Sequence, residues 1–355
     1  MNNKYFFESC VGNPPYQQNV GSATNKALAI QLFPTFMRLA SEITDKYVSL
    51  VVPSRWFSGE GQDKSFPPLR EYIKQHNNFV KIFVYLRDND LFPRVTIGSI
   101  IYYLQEKGFD ANSYLTEFRE FDGNEFSQAI KRPLFEKDMD HILLMNLMAN
   151  YLHKVINHKG FVSLETITTP RNPFGVPDVN KELEVLLSSE KDEFHEIRIQ
   201  CAYERSMYIG RESIKRKCEL INKWKVYTSK MNGNAGTLMD ERPVDILGRS
   251  FVGEPNSICS HALISIGEFN KENEALNLHK YMCTRFLRFL VGFKKISQAL
   301  YQNVYSFVPL QNFTKYSDID WSQSIDDIDR QLYKKYNLTD DESAFIESMI
   351  KPMEE

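Results

Sequence analysis

Apolar and β-branched residues gather into four short runs in the first third of the chain, at residues 4–11, 47–53, 79–86 and 98–105. Enrichment in Val, Ile, Tyr and Phe over so few residues predicts strands. Between the first two runs, Leu28, Leu32, Phe36, Leu39 and Ile43 recur at helical spacing within 24–44. That spacing predicts a helix, with Pro34 expected to break or kink it. A shorter helix is expected over Leu69–His76. Strand–helix–strand alternation predicts an α/β layer with a mostly parallel sheet.

The pattern changes past residue 110. Residues 111–160 are mixed, with Met139–Ile156 rich in Leu, Met and Ala, and read as a helical connector. Thr168–Gly175 reads as a loop opening a second domain. Near Tyr281–Lys295, Phe286, Phe289, Leu290 and Phe293 give one helix an apolar face. Thr339, followed by Asp340, Asp341 and Glu342, reads as a helix N-cap with acidic residues in the first turn. The expected organisation is an α/β domain over 1–110, the connector over 111–160, an α+β domain over 161–315 and an acidic helical tail over 316–355. No internal repeat is found.

At 355 residues the chain can hold about two domains. Its 25% charged residues are ordinary for a globular protein. No run of eighteen apolar residues suggests a membrane span, and the N-terminus lacks a signal-peptide core. Cys10, Cys201, Cys218, Cys259 and Cys283 are scattered, and neither they nor the histidines have metal-ligand spacing. No metal is expected, and a reducing, cytoplasmic setting is. The net charge of −3 hides an uneven distribution. Arg205–Lys230 holds eight basic and two acidic residues, with Tyr208, Trp224 and Tyr227 interleaved. Arg211, Lys215, Arg216, Lys217, Lys223 and Lys225 there, and Arg285 and Arg288 later, are candidate phosphate contacts for double-stranded DNA. A solvated basic surface is the alternative.

The most informative stretch is Asn13-Pro14-Pro15-Tyr16, directly after the first strand and Gly12. Two prolines cannot continue a strand, so the backbone there is stiff, with carbonyls free. Acceptors beside one aromatic face suit a planar amine. Gly12-Asn13-Pro14-Pro15-Tyr16-Gln17 resembles motif IV of the S-adenosylmethionine-dependent amino-methyltransferases, mainly those acting on adenine N6 in DNA. Release-factor glutamine methyltransferases share the tetrapeptide, but the long C-terminal region here argues against them. Val51-Val52-Pro53-Ser54-Arg55-Trp56 resembles motif VI, and Asp90–Ile97 the motif VIII region, of adenine-specific methyltransferases of the gamma type fused to restriction enzymes (type IIG, Eco57I-like). Gly98-Ser99-Ile100 departs mildly from the usual Gly-Gly-Val. Tyr281–Leu290, Tyr305–Pro309 and Leu332–Tyr336 resemble that group's recognition region.

The resemblance implies a partial Rossmann-like methyltransferase sheet, its second half only, followed by a target recognition domain. It implies that the Asn13 side-chain oxygen and the Pro14 carbonyl accept from the adenine amine, with Pro15 stiffening the turn and Tyr16 stacking on a flipped base. Phe92 is the candidate second stacking wall. Ser54, Arg55 and Trp56 are expected at the pocket rim, at the carboxyl end of a strand. S-adenosylmethionine is the implied methyl donor.

A glycine-rich loop for that donor is expected upstream of motif IV, yet only twelve residues precede Asn13. Ser58–Gly61, Ile264–Glu268 and Asn232–Gly236 are weak substitutes. The main cofactor loop is therefore expected to be absent from this chain. The expected function is adenine-N6 methylation in a restriction–modification system, completed by a second polypeptide carrying the cofactor half. The alternative is an inactive DNA-recognition subunit or truncated remnant. A nuclease has little support, since Pro177-Asp178 lacks a following Glu-x-Lys.

Overall fold

The computed structural model describes residues 7–19, 29–58, 64–76, 78–87, 90–92, 98–111, 113–135, 142–143, 145–177, 180–201, 205–231, 243–295 and 300–353. The chain divides into two units, Met1–Asn150 and Tyr151–Glu355.

The first unit is built on strand β1 (Phe7–Gly12), the short pair β2 (Gln17–Asn19) and β3 (Ala29–Gln31), helix α1 (Phe33–Ile43), β4 (Thr44–Pro53), α2 (Phe66–His76), β5 (Phe79–Tyr85), β6 (Ile100–Glu106), β7 (Thr116–Phe121) and β8 (Ile130–Arg132). All four strands expected from the sequence are present. The six-stranded sheet has the order β1-β4-β6-β5-β7-β8. It is mixed rather than mostly parallel: β1 with β4 and β5 with β7 are parallel, while β6 lies antiparallel between β4 and β5 and β8 is antiparallel to β7. β7 and β8 fall where a helical connector was expected. That region therefore extends the sheet, and among its described residues the α-helix is α3 (Asn146–Ile156) near its end.

Period-two alternation gives the sheet one buried face. Val48, Leu50, Val52, Ile101, Tyr103, Ile82, Val84 and Phe118 pack with Phe33, Met37, Ala40, Leu69 and Ile73 of the helices. α1 corrects the expected helix. Pro34 lies in its first turn, where a missing N–H matters least, so it starts the helix instead of breaking it. The buried stripe is Phe33, Met37, Ala40 and Ser41, while Phe36 and Leu39 are exposed. The opposite sheet face carries Phe83 stacked on Tyr102, with Tyr85, Phe121 and Phe126 beside them. β1 is the outermost strand, and its Phe7 and Val11 are 56% and 77% exposed.

The second unit contains α4 (Asn180–Val185), β9 (Leu187–Ser188), β10 (Ile197–Gln200), β11 (Ser206–Ile209), β12 (Trp224–Ser229), β13 (Ser250–Gly253), β14 (Ser257–Cys259), β15 (Leu263–Phe269), α5 (Glu272–Cys283), α6 (Arg285–Gly292), α7 (Ile325–Lys335) and α8 (Asp340–Met349). One sheet has the order β14-β10-β11-β9 and another β13-β12-β15. The helix expected over Tyr281–Lys295 is two helices, because Thr284 ends α5 and caps α6 by accepting from Leu287 N. The expected acidic tail is an integral part of this unit: Ile328, Leu332, Tyr333, Tyr336, Ile346 and Ile350 are buried. Thr339 caps α8 in a reciprocal capping box with Glu342, as its sequence implied. Among the described residues no helix is long and apolar enough to cross a membrane.

Candidate active site

Asn13–Tyr16 leaves the sheet at the carboxyl end of β1, where pairing to β4 ends at Gly12 with Leu50. Asn13 and Pro15 are exposed, and Pro14 and Tyr16 half-buried. Tyr16 fixes the segment from both sides. Its ring packs against the sheet core, and its carbonyl accepts from Leu32 N at 2.9 Å, tying the turn to the start of α1. The Tyr16 hydroxyl is buried without a well-formed hydrogen bond. Burial raises its pKa, and the neighbouring Asn13 side chain pulls the other way. The prolines cannot pair as strand residues, so the Asn13 amide is held at the rim by geometry rather than by a partner strand.

Gln17 joins this turn to Ser54–Trp56, since Arg55 Nη2 donates to Gln17 Oε1 at 3.2 Å. The Arg55 guanidinium also lies 5.9 Å from the centre of the Phe33 ring. Arg55 thus contacts Gln17, the residue that follows Asn13–Tyr16. Ser54 is not at an open rim: it is buried, its N–H donates to Ser99 O at 3.0 Å, and its hydroxyl bonds the Ser99 hydroxyl. Trp56 is corrected outright. It is fully buried against Phe57 and Phe79, and its carbonyl accepts from Arg70 Nη1 at 2.8 Å. Its size and aromaticity serve the core. Phe92 is half-buried in the bend after Asp90, and 93–97 of the motif VIII segment lie outside the described residues. Gln17 and Phe33 were missed as site neighbours; adjacency to Tyr16 was the available signal for the first.

Of the three glycine-bearing segments weighed for S-adenosylmethionine, only Ile264–Glu268 lies wholly within the described residues. Gly267 lies in β15 with φ +86°, and a Cβ there would meet Phe269 Cε2 at 2.3 Å, so this glycine makes room for a ring. Gly59 and Gly61, and the turn over Asn232–Gly236, lie outside the described residues.

The candidate phosphate contacts separate into two kinds. Lys215, Arg216 and Lys217 are exposed together on the segment after β11, although Lys217 lies 3.7 Å from Glu219. Arg211 is exposed and pairs with Glu196 at 3.0 Å, and Lys223 donates to Asn270 Oδ1 at 2.6 Å. Lys225 is fully buried, and its Nζ donates to the carbonyls of Leu220, Ile221 and Lys223 at 2.7, 3.1 and 2.7 Å. Burial lowers its pKa to about 7. Arg288 is likewise fully buried in the surroundings of Asp329. Asp329 accepts from Arg285 N and Phe286 N at 2.9 Å each, at the N-terminus of α6. Arg285 pairs with Asp326 at 3.0 Å. Lys225 and Arg288 are thus internal cations, and no basic face exists on α6.

Residues 1–92 match the family described as Eco57I restriction-modification methylase. An uncharacterised adenine-specific methylase of Mycoplasma pneumoniae is 27% identical over 131 residues, covering 36% of this chain and 31% of that protein. Among solved structures, the type IIG restriction endonuclease BpuSI is 12% identical with a TM-score of 0.38, over 97% of this chain and 54% of the other. The type IIL restriction-modification enzyme MmeI, solved with DNA, is 10% identical with a TM-score of 0.41, over 97% and 52%. The chain thus spans about half the length of these enzymes. The family read from the sequence, adenine-specific methyltransferases of Eco57I-like restriction–modification systems, is the one these comparisons return.

Proposed function

We propose that Met1–Asn150 is the base-binding half of an adenine-N6 DNA methyltransferase of a restriction–modification system, and that Tyr151–Glu355 contacts double-stranded DNA. The observation that carries this reading is Asn13–Tyr16 on the rim at the end of β1, inside the segment that matches the methylase family.

Adenine N6 is a poor nucleophile because its lone pair is shared with the ring. The Asn13 side-chain oxygen and the Pro14 carbonyl accept from its two N–H groups, localising that pair and stabilising charge as N6 becomes tetrahedral. Tyr16 takes one face of the flipped base, and Phe92 is the candidate for the other. Arg55 holds Gln17, keeping the turn in place. No strong general base is needed; the work is positioning. S-adenosylmethionine supplies the methyl group when bound. β1 is the terminal strand of the sheet among the described residues, and that edge is where a second polypeptide adds a strand and brings the cofactor-binding half.

The test uses this chain together with a methyltransferase cofactor half. Asn13→Ala should lower methyl transfer to duplex DNA by about 10²–10³-fold and leave DNA binding intact. Undiminished transfer would remove Asn13 from the chemistry. Tight binding of S-adenosylmethionine by this chain alone would overturn the need for a second segment.

A further inference from the structure

β10, Ile197-Arg198-Ile199-Gln200, alternates strictly. Ile197 and Ile199 are fully buried, in one cluster with Ile209 and Ile258. Arg198 and Gln200 therefore share the other face of the sheet. Strand register sets Tyr208 opposite Arg198 and Ser206 opposite Gln200 on β11, and Ser257 beside Arg198 on β14. Arg198, Gln200, Ser206 and Tyr208 are half-buried and give this face its hydrogen-bonding side chains, while Ser257 is buried beneath them.

Near β14 this face becomes concave. A cavity of ≈ 350 Å³ is lined by Arg198, Gln200, Phe251, Val252, Glu254 and Ser257. Arg198 is held there from two directions. Its Nε donates to Ser206 Oγ at 2.7 Å, and its Nη1 lies 3.5 Å from Glu254 Oε2, while 43% of the side chain stays exposed. The turn carrying Glu254 is fixed to the strand, since Arg198 N donates to Asn256 O at 3.1 Å and Asn256 Nδ2 to Glu196 O at 2.8 Å. A guanidinium oriented before binding loses less freedom on binding.

We propose that this face reads base edges in the groove of duplex DNA, with Arg198 and Gln200 as its specificity-determining side chains. The inference rests on the DNA-contact reading of the second unit. The chemistry selects bases over phosphates. A planar fork matches guanine O6 and N7, and a carboxamide matches adenine N6 and N7. Glu254, at the cavity rim, repels phosphate but can accept from cytosine N4. Residues two apart on a strand are about 6.7 Å apart, close to two base-pair rises of about 3.4 Å. Arg198 and Gln200 therefore address nearby steps of one groove. Phosphate grip falls to Lys215, Arg216 and Lys217, which position the duplex without reading it.

The experiment selects bound duplexes from a pool with a randomised segment, using the full chain, Arg198→Lys and Gln200→Ala, with circular dichroism on each. The wild-type chain should enrich a defined sequence. Arg198→Lys keeps the charge and loses the fork, and should lower the ratio of selected to scrambled binding by about 10- to 100-fold at one G·C position. Gln200→Ala should relax a different position. Identical enrichment by folded variants and wild type would overturn the proposal. Binding by the wild type without any preference would overturn it too, leaving the DNA-contact reading standing. Failure of the wild type to bind any duplex at low salt would overturn both.

Discussion

Lys225 shows how far a residue's chemistry depends on where the fold puts it. In sequence it belongs to a basic run beside Trp224 and Tyr227 and reads as a phosphate contact. In the structure its ammonium closes off the carbonyls of Leu220, Ile221 and Lys223. Lys225→Met should leave those buried acceptors short of a donor and destabilise the protein by about 1–3 kcal/mol. The effect should depend on pH. Burial lowers the folded pKa from 10.5 to about 7, so between these values the unfolded chain binds more protons. Stability from this group therefore rises with pH above about 7 and gains nothing below it, where both states are protonated. Urea unfolding at about pH 7 and about pH 10 should show the wild type pulling further ahead of Lys225→Met at the higher pH. Unchanged stability, with weakened DNA binding, would return Lys225 to the surface. Composition cannot separate Lys215 from Lys225, because burial is decided by strand pairing far along the chain.

At the scale of elements, the strands were legible and their directions were not. Apolar runs locate β1, β4, β5 and β6, since each must bury a face. That β6 inserts antiparallel between β4 and β5 is a long-range pairing with no local signature. α1 failed for a different reason. Its segment carries two apolar stripes one residue apart, Leu32–Phe36–Leu39–Ile43 and Phe33–Met37–Ala40. Periodicity alone favours neither. Pro34 and the Tyr16 carbonyl decide between them by fixing where the helix starts. Met37 is 3% exposed and Leu39 46%. Met37→Ala should therefore cost about 2–5 kcal/mol, against about 0.5 kcal/mol or less for Leu39→Ala. Thermal or urea unfolding of the two variants checks this, and the reverse order would restore the stripe expected from the sequence.

For the whole molecule, the tetrapeptide Asn13–Tyr16 was legible as a candidate site because its four residues are consecutive. The division into units was not, since β7 and β8 extend the first sheet beyond residue 110, where the pattern changes, and α7 and α8 pack into the second unit. Net charge was the least informative quantity: −3 overall is compatible with an exposed cationic segment at Lys215–Lys217 once Arg288 and Lys225 are known to be internal. That segment supports a quantitative expectation. If each of its three cations displaces one counterion from duplex DNA, together they contribute about 2.7 to the slope of log affinity against log salt. Replacing Lys215, Arg216 and Lys217 together by Glu should lower the slope by about that amount and weaken target and scrambled duplexes by the same factor. Glu at 217 would also face Glu219, so the loss at low salt should exceed that of an alanine triple variant. Fluorescence anisotropy over a salt series measures both quantities. A slope that stays at the wild-type value would take Lys215–Lys217 out of the interface, and a loss confined to the selected sequence would make the segment a reader of bases instead of a grip on the backbone.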